Sequence, residues 1–493
     1  MLKRDVLESV GIKENYCGEN TMIDTILFLV ISTFWFSSIP VAFLTLIRFL
    51  KNRNIFVEKD LERIHNDPTI IFQITTRSAT KTPVVKRGIN SIISSSSKIK
   101  YSNYIISVVS DDLEDIATLS CFSGNNNNFE VIIVDKKFTA NAIKKGRALQ
   151  YAVEYRRKVG LNTSKYWVFH MDDESYVTHQ TILSLLRFIR ENDAVASEGP
   201  IFYPLKFESA NFLTAIAESV RPFTCYDCVS QMTNPPPLHM HGSNLLVRSD
   251  IEDSIGWNFG PTLAEDQLFG YKVYEKYGPK SLGWHGGILL EQPPLNIKDH
   301  FMQRRRWVVG SMQNINNFPL IHRFKMVFKL ATYFLGFISG VVSIILYAYF
   351  QVPKMMPLLL SSSSSAINDI NQTVSIDIAT SFNKLFDTLS SQSILHTLTN
   401  GSPMEVGLGL MLLFTSVMWL LSYQVGLFLN LRYSNIGWPK RILFHLQTLV
   451  LCLVIGLVET FPAFWAMIEY CIRNKIINNK IKTQVYDFYV INK

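Results

Sequence analysis

Three short runs of residues could do chemistry. His170-Met-Asp-Asp-Glu-Ser175 follows the apolar Tyr-Trp-Val-Phe, so Asp172 and Glu174 stand two apart at the end of a strand. Strand residues two apart share a face, and such carboxylates can grip a divalent cation that also holds a diphosphate. Acidic turns are common, and taken alone this DxE reads equally as a polar turn. Glu265-Asp266 precedes a helical pattern. The pair serves either as a helix N-terminal charge answering the macrodipole or as a general base for a weakly nucleophilic hydroxyl. Gln303-Arg-Arg-Arg-Trp307 precedes an apolar block. Its guanidiniums suit phosphate oxygens and its indole suits a ring, although arginines beside a membrane helix also serve as topological anchors.

Those runs need a scaffold. Thr69–Thr75, Tyr104–Ser110, Glu130–Val134 and Tyr166–His170 are short apolar runs followed by polar turns, with helical stretches such as Asn141–Lys158 between some of them. Strand alternating with helix predicts a doubly wound, mostly parallel α/β sheet over residues 66–315. Ligands of such sheets lie beyond the carboxyl ends of the strands. The residues to inspect are therefore Thr76-Arg77, Asp111-Asp112, Asp135-Lys136-Lys137 and Asp172-Asp173-Glu174.

At 493 residues and 48% hydrophobic, the chain has room for this body and a membrane part. Apolar blocks at 22–47, 326–350, 406–431 and 442–468 are long enough to cross a bilayer. They leave a tail at 1–21, a polar loop at 351–405 and a basic tail at 469–493. Arg48, Lys51 and Arg53 after the first block place the body on the cytosolic side, and Asn371-Gln-Thr and Asn400-Gly-Ser fit a lumenal loop. The net charge of +8 reads as membrane topology plus a phosphate-bearing substrate, since no nucleic-acid module is apparent. Glu459 stands near the end of the last block. Of six cysteines, Cys225 and Cys228 form a lone CxxC without a second pair, which reads as two ordinary thiols rather than zinc ligands.

In order, Asp135, the basic Lys144-Lys145-Gly-Arg147 stretch, DxE, Glu265-Asp266 and Gln303–Trp307 resemble the membrane-bound family-two inverting glycosyltransferases, which include cellulose, chitin and hyaluronan synthases. Glu174 replaces that family's second Asp, and Ala264 stands where Thr is common. Longer phrases, His241-Gly-Ser-Asn-Leu-Leu-Val-Arg248, Gly283-Trp-His-Gly-Gly and Leu290-Glu-Gln-Pro-Pro, look like egghead-type β-1,4-mannosyltransferases of animals. The resemblance covers about residues 70–315 and implies a GT-A-like fold.

By that resemblance, Thr76, Arg77 and Asp111 or Asp112 would lie near the base and ribose, with Asp173 beside them. Lys145 and Arg147 would approach the diphosphate, and Asp172 and Glu174 would hold Mg²⁺ or Mn²⁺. Glu265 and Asp266 form the catalytic pair, with Asp266 the base. Gln303, Arg306 and Trp307 would close over the diphosphate and acceptor, leaving Arg304 and Arg305 as membrane-surface anchors. His241, Asn244 and Trp284 are wall residues for sugars. The implied reaction moves mannose from GDP-mannose onto a lipid-linked sugar such as glucosylceramide, at an ER or Golgi membrane. Its rivals are a processive synthase using a UDP-sugar and a non-catalytic nucleotide-binding receptor.

Overall fold

The run TIIFQIT, rich in β-branched residues, opens the sheet as β1 (Thr69–Thr75). Its side chains alternate: Ile70, Phe72 and Ile74 enter one core, while Ile71 enters the other. In this computed structural model residues 43–51, 67–79, 84–123, 128–338, 341 and 403–477 are described. The chain divides into two units, Met1–Phe43 with Ile338–Trp419, and Leu44–Phe337 with Leu420–Lys493. Of the first, the described residues are chiefly the beginning of a helix, Pro403–Arg432. The second holds the sheet.

Beside β1 lie β2 (Tyr104–Ser110) and then β3 (Phe129–Ile133) on one side, and β4 (Tyr166–Asp172) on the other, all parallel. The sheet continues through β8 (Leu245–Arg248), β6 (Ala196–Glu198) and β9 (Leu282–Trp284), giving the order β3-β2-β1-β4-β8-β6-β9. β8 runs antiparallel to both β4 and β6. A second sheet joins β5 (Tyr176–Val177), β10 (Leu289–Leu290) and β7 (Ile201–Phe202). Helices cover both faces of the large sheet, as the strand–helix alternation predicts. Val84–Lys98 and His179–Glu191 pack Ile89, Ile92, Leu185 and Phe188 against one face. Lys144–Lys158 and Glu265–Tyr277 pack Leu149, Val153, Phe269 and Val273 against the other. Each such residue stabilises the fold by about 1.5–3 kcal/mol on burial. The strand ends are therefore held by core, not by loop contacts.

Three boundaries differ from the sequence reading: the strand expected at Glu130–Val134 runs one residue earlier, as β3. β4 extends to Asp172, so the first carboxylate of DxE is the strand's last residue, paired with Thr75 of β1. The helix expected from Asn141 begins at Lys144.

The helix Ile297–Asn314, here the arginine helix, starts where the Asn296 side chain accepts the Asp299 N–H at 2.9 Å. Val308 and Val309 pack with Ala463, Ala466 and Met467 of a long C-terminal helix, Trp438–Ile477. Among the described residues one stretch, Val454–Ile472 of that helix, is long and apolar enough to cross a membrane, by length and composition only. This stretch overlaps the expected block at 442–468 from Val454 onward. The tail at 1–21, residues 478–493 of the basic tail, residues 351–402 of the polar loop and most of the block at 22–47 lie outside the described residues, as does part of the block at 326–350.

Candidate active site

The carboxyl ends of β1 and β4 are neighbours because Thr75 pairs with Asp172. One step on, the Thr76 hydroxyl donates to Asp173 at 3.3 Å. Arg77 beside it is exposed. At the end of β2 the two aspartates part company. Asp112 accepts the Ser78 hydroxyl at 2.9 Å and the Glu114 N–H at 3.1 Å, which makes it a helix cap. Asp111 stays exposed and pairs with Arg147 at 3.4 Å. Arg147 also donates to the Asp135 and Phe138 carbonyls at 2.5 and 3.2 Å, tying the β3 end to its helix.

Lys145 is the centre of the cleft. Its Nζ lies 2.5 Å from Asp172 Oδ1 and donates to the Gly242 carbonyl at 2.9 Å. Burial opposes its charge, yet Asp172, Glu265 and Asp266 together raise its pKa above a lysine's ordinary value. Gly242 has no space for a side chain: a Cβ there would meet Asp266 Oδ2 at 2.8 Å and Lys145 Nζ at 3.3 Å. Asp172, Lys145 and Asp266 thus converge on one glycine.

Glu265 and Asp266 open the helix Glu265–Tyr277, where Asp266 Oδ1 accepts the Gln267 N–H at 2.8 Å. Burial first, and the Glu265 charge second, push Asp266 up to about 7. Lys145, the Gln267 N–H and Arg306 pull the other way and do not prevail. A carboxyl balanced near neutrality suits proton transfer.

Sequence reasoning missed a further carboxylate. Glu291, just after β10, is buried and accepts the Ser243 hydroxyl at 2.8 Å and the Ser175 hydroxyl at 3.0 Å. Burial and the nearby Asp172 push it up to about 7. Its only signal was membership of the Glu-Gln-Pro-Pro phrase. Glu174 is also buried, whereas Asp172 is partly exposed.

Beneath the β1 and β4 ends lies a second missed cluster. Arg156 donates to Gln73, and to Glu252 at 2.6 Å, while Glu252 also accepts the Trp257 indole N–H at 2.6 Å and lies 3.1 Å from His170. Burial alone would raise Glu252, but Arg156 and His170 hold it at about 2. This buried network supports the strand ends.

The expected wall residues divide. Asn244, at φ 59°, is fully buried and spends its amide on the Pro200 and Gly287 carbonyls, both at 2.9 Å. It fixes two loops rather than facing a sugar. His241 is buried behind Gly242, and its N–H donates to Glu198 at 2.8 Å. Burial pushes the His241 ring down to about 4 and Glu198 up to about 8. Trp284 is half-buried, its ring 6.3 Å from that of Tyr226, and its buried Nε1 has no acceptor among the described residues.

The three arginines go three ways. Arg304 is buried and donates to Glu218 at 2.6 Å and to Glu459 at 2.9 Å. Burial would raise the Glu218 carboxyl, but Arg304 and Arg221 hold it far below the carboxylate range. Arg305 forms two 2.6 Å bonds to Glu469. Both fasten the arginine helix to the C-terminal helix through charge-assisted hydrogen bonds to carboxylates. Glu459 likewise answers Arg304 rather than an interface. Gln303 accepts from Arg304 at 3.0 Å. The Trp307 ring carries the Arg221 guanidinium 4.1 Å, and that of Arg304 4.5 Å, from its centroid. Of the three, Arg306 stands near enough for its charge to lower the Asp266 pKa.

The carboxyl ends of the central strands thus bring together carboxylates, a buried lysine and an aspartate near neutrality. Residues 167–363 match the family described as glycosyl transferase family group 2. The chain is 24% identical over 238 residues to the β-1,4-mannosyltransferase egh of Drosophila melanogaster, covering 47% of this chain and 50% of that protein. It is 24% identical over 310 residues to the β-1,4-mannosyltransferase bre-3 of Caenorhabditis elegans, covering 61% and 65%. The match to a family-two glycosyltransferase domain and the likeness to two β-1,4-mannosyltransferases support a glycosyltransferase enzyme similar to the egghead-type proteins. The matched stretch spans about half the length of egh and under two thirds of bre-3. Among solved structures, a mannosyltransferase from Pyrobaculum calidifontis in complex with GDP-Man and Mn²⁺ is similar at a TM-score of 0.39 and 11% identity. It covers 79% of this chain and 98% of that one, too distant a likeness to transfer any detail of the site.

Proposed function

We propose that the protein is a membrane-bound inverting β-1,4-mannosyltransferase that moves mannose from GDP-mannose onto a lipid-linked sugar such as glucosylceramide. The observation that carries this reading is the meeting of Asp172, Lys145 and Asp266 around Gly242. In one displacement the acceptor hydroxyl oxygen bonds to the anomeric carbon, the bond from that carbon to the diphosphate breaks, and Asp266 takes the hydroxyl proton. A carboxyl at about 7 can accept that proton near neutral pH and release it afterwards. Lys145 and Arg306 supply positive charge where the diphosphate departs. Thr76, Arg77, Asp111, Asp173 and Arg147 line the donor side, and the Trp284 indole N–H is available to a sugar oxygen.

By the family resemblance a hard cation would be held by Asp172 at the strand end and Glu174 two residues on; here Asp172 is paired with Lys145. Mg²⁺ or Mn²⁺ bound there would supply charge stabilisation to the leaving oxygen without proton transfer.

Two observations favour a lipid-linked acceptor. An apolar cavity of about 260 Å³ opens between the arginine helix and the C-terminal helix, lined by Ile297, Phe301, Phe337, Val458, Phe461 and Pro462. The C-terminal helix also leaves Trp438 71% and Val450 81% exposed, with Ile442, Leu443 and Leu446 between them. So large an apolar surface calls for lipid. We place residues 66–315 on the cytosolic face of an ER or Golgi membrane, with spans at 22–47, 326–350, 406–431 and 442–468.

The test is incubation of detergent-solubilised chain with labelled GDP-mannose or UDP-sugars and glucosylceramide, followed by product mass and linkage analysis. One mannose added per acceptor is the expected result. Polymer formed from a UDP-sugar, with GDP-mannose untouched, contradicts the reading.

A further inference from the structure

Behind the cleft, at the end of β6, three side chains from two separate segments converge in a way the transfer chemistry does not use. Cys228, in the helix Asp227–Thr233, is buried and in no disulfide. His239 and His241 lie on the loop before β8, one residue apart, so an extended backbone turns both to the same side. Their rings sit 5.1 Å apart, and one ligand atom from each of the three residues lies within 4.8 Å of the others. His241 Nε2 is 3.8 Å from Cys228 Sγ.

The tautomer is fixed by chemistry. His241 Nδ1 sits 3.2 Å from the Gly199 carbonyl, which can only accept, so Nδ1 carries the hydrogen and Nε2 faces the thiol with its lone pair. A metal-ligating histidine is held in this way, with its second nitrogen donating to a backbone carbonyl. Glu198 supplies an independent sign. It is 0% exposed, its Oε2 accepts the His241 N–H, and its Oε1 has no hydrogen-bond partner among the described residues. A buried carboxyl oxygen without a hydrogen-bond partner leaves room for a cation, whose charge would ionise it.

One sulfur and two imidazole nitrogens form a borderline-soft three-donor set, with the Glu198 carboxyl beside His241 as the neighbouring acidic group. We propose that Cys228, His239 and His241, with Glu198 beside them, bind a Zn²⁺ ion separate from the hard-cation position at Asp172, and that this ion pins the loop ending in Gly242 beneath the transfer cleft. With the thiolate and carboxylate both ionised, the loaded site is neutral, which suits its burial. Exposed His239 gives the ion a way in. The signal in the sequence was Cys228 with His239-x-His241, not the CxxC, since Cys225 points its sulfur 3.8 Å from the Ile201 carbonyl instead.

The test uses the full chain in detergent, equilibrated with Zn²⁺ and desalted, with metal content read by mass spectrometry. One tightly held zinc per chain is expected, and Co²⁺ in its place should show a thiolate-to-cobalt charge-transfer band. Cys228→Ser should lose that band, while Asp172→Asn should keep both zinc and band. Because Cys228 is buried and its serine variant could fail to fold, exposed His239→Ala is the second probe. It should fold and weaken zinc binding by about tenfold or more. Wild-type chain that takes up no stoichiometric zinc overturns the proposal. So does a His239→Ala variant that binds zinc as the wild type does, or a zinc lost with Asp172→Asn rather than with the Cys228 and His239 variants.

Discussion

The strand-end cleft and the arginine helix present their motifs by opposite geometries. At the end of β4, alternation puts residues two apart on one side, and Asp172 meets Lys145 while its neighbour Asp173 turns to Thr76. On the arginine helix, successive residues point about 100° apart. Three adjacent arginines therefore have three destinations: Glu218 and Glu459 for Arg304, Glu469 for Arg305, and the field of Asp266 for Arg306. Adjacency in a strand motif separates roles by face, while in a helix motif it distributes them around an axis. The arginine run is mostly a fastening device, with one member turned to the cleft.

That contrast can be broken by substitution. Arg304→Ala should have the largest effect on stability, about 3–5 kcal/mol, because it leaves the buried Glu218 with Arg221 as its arginine partner and removes the arginine partner of half-buried Glu459; thermal unfolding of the detergent-solubilised chain measures it. Arg306→Ala should do the reverse, leaving the melting temperature nearly unchanged and lowering turnover by about 10²–10³-fold. If the two variants gave the same profile, the division of labour along the helix would be wrong. Arg305→Ala removes two charged hydrogen bonds and should cost about 1.5–3 kcal/mol, with turnover retained by the protein that remains folded. The smallest effect is in pH. Asp266 must be ionised to accept a proton, and burial holds its pKa at about 7. Transfer should be flat above that value and fall about tenfold for each pH unit below it. A profile level down to pH 5 would remove Asp266 from the base's role.

Much of the cleft was legible because strand alternation and strand-end rules act over a few residues. Thr69–Thr75 and Tyr104–Ser110 coincide with β1 and β2, and the acidic turns after the parallel strands were marked in advance. Partners far apart in sequence were not legible. Glu291 reaches Ser175 across 116 positions, Arg304 reaches Glu459 across 155, and no local pattern encodes either meeting. Asn244 and His241 sat in the right phrase, yet the phrase does not say which way a side chain turns; burial decides that. Membrane arrangement was the least legible part. A long apolar run is necessary for a span, but Glu459 and Glu469 show that the C-terminal helix also offers a polar stripe to the arginine helix.

The central claim is that Asp266 takes the proton of the acceptor in a cleft that binds the nucleotide by other groups. Asp266→Asn, assayed for GDP binding by calorimetry and for mannosyl transfer to glucosylceramide in the same preparation, tests it most directly. The account predicts GDP affinity within about threefold of wild type and transfer lowered by about 10²–10⁴-fold. Transfer retained at wild-type rate, with GDP still bound, would contradict it.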